Sequence, residues 1–250
     1  MSPKVLDKQT QLVRENEILD YAVTCIQNEG VSAMTIDKLA QDLPYSKGTI
    51  YNHFSCKEDL IVALCNRSMS ILTKMFQRAI TFKGYTREQA LAIHFAYMLY
   101  AKLYPTNFLL VITAMSASVK EKASEQRQQQ HVILEGQLLA GVASIFERAQ
   151  EKGDCQPPIP MSLKQMVFSC WSVAFGTNAL LLTEVESCSA RSELVVECEF
   201  LNSIQLVFDG LCWKPLSNEY DWGKTIELLK TDIFSDEIAV LKSRGQCLAI

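Results

Sequence analysis

The sequence lacks the marks of several protein classes at once. No apolar run reaches the ~18 residues that span a bilayer; the nearest, residues 166–182, is broken by Ser169, Ser172, Gly176, Thr177 and Asn178. The opening stretch MSPKVLDKQTQLVREN has no apolar segment of the kind a secretory signal needs. Nucleophile elbow, P-loop, HExxH and dinucleotide fingerprints are all missing, and the carboxylates are scattered, so no catalysis is expected. Ten glycines and seven prolines are too few for a turn-rich β sandwich. Nine cysteines form no CxxC pair, and His53, His94 and His131 are not spaced to join them in a zinc set. No metal or cofactor is therefore expected. The cysteines read as small buried hydrophobes of a reducing compartment, with Cys56, at a predicted helix start, the one candidate for a responsive thiol. Nor is there a basic surplus, since the net charge is −4. What remains is a soluble, cytoplasmic chain, 48% hydrophobic and 21% charged, long enough for one large domain or a small one fused to a larger one.

What is present is helical periodicity almost throughout. Residues 15–29 put Ile18, Leu19, Ala22 and Ile26 on one face before Gly30. Thr35 is an N-cap residue, with Met34 and Leu39 placed to staple and Asp37 suited to the positive helix end. This second helix buries Leu39, Ala40 and Leu43 and stops at Pro44. Ser46 caps a third, with Tyr45 and Ile50 as staple, and Ser55-Cys56-Lys57-Glu58 reads as a capping box opening a long helix to about Phe82. Further helices are expected over 86–104, 106–118, 120–152, 162–184 and 192–211, with a loop at 153–160 and two short amphipathic helices over 221–243.

A short helix, a tight turn and a second short helix with polar outward residues is a helix-turn-helix. Such a reader must enter the major groove with donors and small residues at its N-terminal half. Residues 46–54 meet that need. Ile50 and Phe54 face the head's core, leaving Lys47, Gly48, Thr49, Tyr51, Asn52 and His53 outward or at the ends. Gly48 has no side chain to hold the backbone off a phosphate, Tyr51 offers a rigid phenol, and Lys47 and Lys57 offer ammonium groups.

The string Thr35-Ile36-x-x-Leu39-Ala40 followed by Ser46-Lys47-Gly48-Thr49-Ile50-Tyr51-Asn52-His53-Phe54-x-x-Lys57-Glu58-x-Leu60 closely resembles the DNA-binding head of TetR-family transcriptional regulators. Arg14, Ile18, Leu19, Ala22 and Gly30 fit the same pattern. The resemblance implies a homodimer reading a palindromic operator, and a body whose small-molecule effector releases the DNA. Carried over by position, Thr35 and Lys38 lie against phosphate, and Ser46 and Gly48 belong to the same face. Lys47, Thr49 and Asn52 reach base edges, while Tyr51, His53 and Lys57 clamp phosphates. Two features depart from the family. Pro44 stands where a turn glycine is usual, and proline cannot take φ > 0. Residues 1–60 hold 6 Lys+Arg against 9 Asp+Glu, so non-specific affinity should be modest and its salt dependence shallow.

The fold expected is all-α, with a helix-turn-helix DNA-binding domain over 1–60 and a helical effector-binding and dimerisation domain over 61–250. His94, Tyr97, Tyr100, Phe108, Thr113, Trp171, Phe175 and Asn178 are candidate effector contacts, being aromatic or polar within apolar helices. The effector should be small and apolar or amphipathic. Segments 166–182 and 194–211 are apolar on more than one face, which suits a homodimer seam. The alternative is a helical small-molecule-binding or adaptor protein whose helix-turn-helix no longer reads DNA.

Overall fold

The computed structural model describes residues 7–182 and 188–250. Every regular element among them is helical; the only strand-like pairing is an isolated antiparallel bridge between Cys155 and Trp213. The chain divides into two compact units, one of Thr106–Ile133 with the residues up to Ser68, the other of Met69–Pro105 and Leu134–Ile250. The head expected over 1–60 thus lies within a unit that also takes in 61–68 and 106–133.

The first unit is built on α1 (Lys8–Glu29), α2 (Ile36–Asp42), α3 (Lys47–Tyr51) and the start of α4 (Lys57–Ile80). Ile18, Leu19, Ala22, Met34, Leu39, Ile50 and Phe54 are buried together as its core. Both short helices start where local chemistry dictates. The Thr35 hydroxyl accepts the Lys38 N–H at 3.2 Å, and the Ser46 hydroxyl accepts that of Thr49 at 3.1 Å. Pro44 forces no strain. Leu43 is extended (φ −94°, ψ 153°), as a residue before proline prefers, and Ser46 is extended again (φ −63°, ψ 153°). No residue of this turn has positive φ, so the glycine it departs from is not needed.

The start of α4 differs by one residue from the expected capping box. Cys56 is the cap, its Sγ accepting the Asp59 N–H at 3.4 Å, and Asp59 accepts the Ser55 N–H at 3.0 Å. The other Asp59 oxygen takes the Ser124 N–H and hydroxyl at 2.9 and 2.8 Å. That bond explains a second difference. The helix expected over 120–152 starts only at Glu125, as α8 (Glu125–Lys152), because the chain bends at 121–124 to reach Asp59, and the one expected over 106–118 breaks at Ser116 before a single turn, α7 (Ala117–Lys120). Before them α6 spans Pro105–Met115. Arg127 reaches Glu15 at 2.7 Å and lies 5.5 Å over the Phe54 ring, and Asn66 holds the Arg127 carbonyl and His131.

The second unit centres on α5 (Thr86–Leu103), buried almost end to end, with α9 (Leu163–Leu181) and α10 (Val196–Gly210) packed on each other and on it. α10 starts later than 192 because Glu193 takes a left-handed conformation (φ 70°) that a helix cannot contain. α9 stops at Leu181 with Leu182 as cap; Glu184, expected in this helix, lies outside the described residues. The two tail helices are α11 (Trp222–Leu228) and α12 (Ser235–Ser243), joined by a π-helical turn at Leu229–Ile233. Trp213, fully buried, stacks on Phe146 and Phe208 with ring centroids 4.7 and 5.1 Å away.

Candidate nucleic-acid interface

α3 is one exposed turn and a half on a buried seat. Ile50 anchors it at 0% exposure, while Ser46, Lys47, Gly48, Tyr51 and Asn52 are exposed and Thr49 is partly so. Thr35, at the start of α2, is exposed as well. A Cβ built on Gly48 would meet only the Ser46 Oγ, at 3.9 Å. Nothing within the chain therefore requires glycine there, although glycine inside a helix costs about 0.5–1 kcal/mol relative to alanine.

The cations of this face are not free. Lys47 lies 2.6 Å from Asp37 and 5.9 Å from the Tyr51 ring centre. Lys38 is paired with Glu29. Two further residues expected at phosphates point inward. His53 is almost buried, 3.8 Å from Glu15, and burial lowers its pKa, so it carries little charge at neutral pH. The Lys57 ammonium donates to the Val31 and Ser32 carbonyls at 2.6 and 3.2 Å, holding the turn after α1. Thr35, Ser46, Lys47, Gly48, Thr49, Tyr51 and Asn52 form the outward set, and His53 and Lys57 brace it from within.

The expected effector residues are divided between the units. Phe108 and Thr113 belong to the first; His94, Tyr97, Tyr100, Trp171, Phe175 and Asn178 belong to the second. Within the second unit Trp171 Nε1 donates to the Tyr97 hydroxyl at 3.3 Å, and Phe175 stacks on Trp171 at 6.1 Å. Tyr100 stacks on Tyr104 at 5.4 Å. Asn178 is fully buried, with its Nδ2 bonded to the Ala174 carbonyl and its Oδ1 without a partner among the described residues. Thr73 Oγ1 is likewise buried and unpaired, a residue the sequence did not single out. Unmet polar atoms in an apolar interior mark places where a ligand or water has a bond to gain. Two open cavities of the second unit, of about 830 and 530 Å³, are lined by none of the eight.

His94 is a buried neutral base. Its Nδ1 is 2.7 Å from the Ala90 carbonyl, its ring stands edge-on to Phe208 at 5.3 Å, and burial pushes its pKa down to about 4 from 6.5. Between those pH values the unfolded chain binds a proton that the folded chain does not. Stability therefore falls as pH drops through 6.5 and levels off near 4, by on the order of 3 kcal/mol from this group. His94→Gln should lose less stability than the parent between pH 7 and 5 in denaturant titrations. Equal losses in both proteins would show that His94 is not the titrating group.

α9 and α10 keep large apolar side chains in solvent: Phe168 is 60% and Leu180 57% exposed on α9, and Leu206 72% on α10. Among the described residues no helix is long and apolar enough to cross a membrane, and no group of His, Cys, Asp and Glu could hold a metal ion.

An exposed, capped reader helix on a three-helix core, carried by an all-helical body, defines a DNA-binding transcriptional regulator of the helix-turn-helix class. The family model "Bacterial regulatory proteins, tetR family" matches residues 18–64, the stretch from within α1 to within α4 that holds the reader helix. It is similar to the "Fatty acid metabolism regulator protein" of Bacillus subtilis, 27% identical over 154 residues, which are 61% of this chain and 76% of that one. In fold it matches a tetR-family regulatory protein from Rhodococcus RHA1 at a TM-score of 0.62, with 14% identity, over 79% of this chain and 96% of the other. It also matches FadR from Bacillus subtilis in complex with stearoyl-CoA, at a TM-score of 0.60 and 15% identity, over 81% and 99% of the two chains.

If Lys47, expected at base edges on a true site, meets phosphate on non-specific duplex, Asp37 competes with that phosphate for it. Asp37→Asn should raise affinity for random duplex DNA about threefold and steepen the slope of log affinity against log salt by up to about one unit. An unchanged slope across two salt concentrations would place Lys47 away from the DNA backbone.

Proposed function

We propose that the protein is a ligand-released repressor acting as a homodimer, with residues 1–60 reading DNA and 61–250 binding effector and partner. The observation that carries the reading is the exposed N-terminal half of α3, where a glycine with no internal reason lies among Lys47, Thr49, Tyr51 and Asn52. Lys47, Thr49 and Asn52 reach base edges; Thr35, Lys38, Ser46, Gly48 and Tyr51 meet phosphate. Phe168 and Leu180 on α9 and Leu206 on α10 supply the seam, covering apolar surface that otherwise faces water. Two recognition helices set about 34–36 Å apart then read successive half-sites of a palindrome.

The effector proposed is a long-chain acyl thioester. Two findings support the class: the Bacillus subtilis relative is a fatty acid metabolism regulator by name, and a structural neighbour carries stearoyl-CoA. The sequence likeness to that relative runs over 154 residues, far past the head match at 18–64, and so takes in body as well as head. Tyr97 and the Asn178 Oδ1 lie in such an apolar-with-few-polar interior, with half-buried Phe175 and exposed Trp171 at its edge. Release follows if the ligand binds the DNA-incompetent arrangement more tightly than the competent one.

The test is fluorescence anisotropy of the purified protein on its own upstream DNA, at two salt concentrations with non-specific competitor, with and without stearoyl-CoA. Competitor-resistant binding that stearoyl-CoA reverses supports the whole reading. Binding that competitor erases on every DNA tried, including genome-wide selected fragments, overturns it in favour of a helical ligand-binding or adaptor protein.

A further inference from the structure

The smaller cavity of the second unit, about 530 Å³, opens beside the N-terminal end of α5 and has an unusual charge inventory. Lys83, Lys152 and Lys224 all line it, from the turn after α4, the end of α8 and α11. None of the three makes an ion pair with a described residue, a state they share with six other described lysines, but here three of them line one cavity. The two carboxylates of the same cavity are already committed to neutral donors. Glu88, 4% exposed, accepts the Tyr85 N–H at 2.9 Å and the Thr225 hydroxyl at 2.7 Å. Asp154 accepts the Thr86 hydroxyl at 2.8 Å. The three lysines and two carboxylates thus line one concavity with a net charge of +1, in a chain whose own net charge is −4.

One wall is aromatic and held in place. Tyr85 and Tyr220 meet edge to face at 5.5 Å, and Tyr220 packs on Trp222 at 5.1 Å. Trp222 in turn lies 4.9 Å beneath the buried Arg87 guanidinium. Thr86, on the floor, also receives the indole N–H of Trp213 at 3.0 Å. The floor and the aromatic wall are thus held by contacts within the unit, while the lysines are tied to no carboxylate among the described residues. Lysine ammonium groups are point charges suited to phosphate, and a rigid phenol beside them gives a planar base a surface to stack on.

We propose that this cavity binds a nucleoside phosphate, with Lys83, Lys152 and Lys224 on the phosphate and the Tyr85–Tyr220 pair against the base. The volume suits a mononucleotide-sized group, and the concave shape excludes a duplex backbone. The site is independent of α3 and of operator reading. The same chemistry is available from a free nucleotide or from the nucleotide head of a larger thioester.

Calorimetric titration of the full-length protein with ADP, in the absence of DNA, tests the assignment. ADP should bind, with ribose 5-phosphate and adenosine each weaker because each lacks one half of the recognition. Lys152→Gln/Lys224→Gln, at exposed positions that leave the fold intact, should weaken ADP by about tenfold or more. Tyr220→Ala should reduce ADP towards the affinity of ribose 5-phosphate. Absence of ADP binding at millimolar concentration overturns the proposal, as does undiminished binding to the double-lysine variant. Displacement of ADP by coenzyme A would identify the thioester head as the source, and simultaneous binding of both a free nucleotide; either result leaves the lysine and tyrosine dependence intact.

Discussion

Tyr51→Ala is expected to weaken operator binding by about a hundredfold while leaving the protein folded and its oligomeric state unchanged. The side chain is 44% exposed at the end of α3 and makes no contribution to the core, which Ile50 and Phe54 supply at 0% exposure. Its loss removes a rigid donor from the DNA face and a surface on which the Lys47 stem rests, with the ammonium 5.9 Å from the ring centre. Losing one hydrogen bond to a charged phosphate costs ~1.5–3 kcal/mol, and a homodimer loses it twice. Circular dichroism and sedimentation should match the parent. Operator affinity within threefold of the parent would remove α3 from the role of reader.

The largest effect on stability is expected at Arg87. Its side chain is fully buried and serves four acceptors at once: Asp209 at 2.7 Å, the Trp213 carbonyl at 2.6 Å, and both the side chain and backbone carbonyl of Gln205. The guanidinium is sandwiched between Phe208, 5.5 Å away, and Trp222, 4.9 Å away. Asp209 also takes the Ser217 N–H at 2.9 Å and its hydroxyl. One cation thus fastens α10 and the segment that follows it onto α5. Arg87→Ala leaves Asp209 and the Trp213 carbonyl without their cation, at a cost of ~3–5 kcal/mol. For a chain of this length that corresponds to a fall of roughly 10 °C in the thermal midpoint. Arg67→Ala is the contrast: its partner Asp20 is 72% exposed, and such a pair contributes under ~1 kcal/mol. Equal losses from the two variants would show that the buried pair is no more than another surface bridge.

The parts of the fold that were legible in the sequence are those fixed within a few residues. Thr35 and Ser46 cap the helices they precede because a hydroxyl reaches a backbone N–H three residues on, a relation spacing alone displays. Boundaries set from a distance were not legible. Nothing in residues 117–125 announces a break until Asp59, far back in the chain, claims the Ser124 N–H. Arg87 shows the same limit. It stands in the polar string Thr-Arg-Glu-Gln, where no local pattern marks burial, and only the chain returning after residue 205 buries it. At the DNA face, the outward direction of Lys47, Tyr51 and Asn52 followed from helical period. The partners that Lys38 and Lys47 had already taken, Glu29 and Asp37, depend on how α1, α2 and α3 turn against one another.

Those two lysine–carboxylate pairs have a consequence at the level of the cell. A genome offers ~10⁶–10⁹ competing stretches of duplex for every true site, and a strongly cationic head leaves most of its molecules parked on them. If Lys38 and Lys47 meet DNA as proposed, ordinary duplex must displace Glu29 and Asp37 before it gains them, and each wrong stop is brief. On that reading few molecules are sequestered, a small copy number keeps the operator occupied, and a rise in effector is answered without first drawing down a reservoir of chromosome-bound protein.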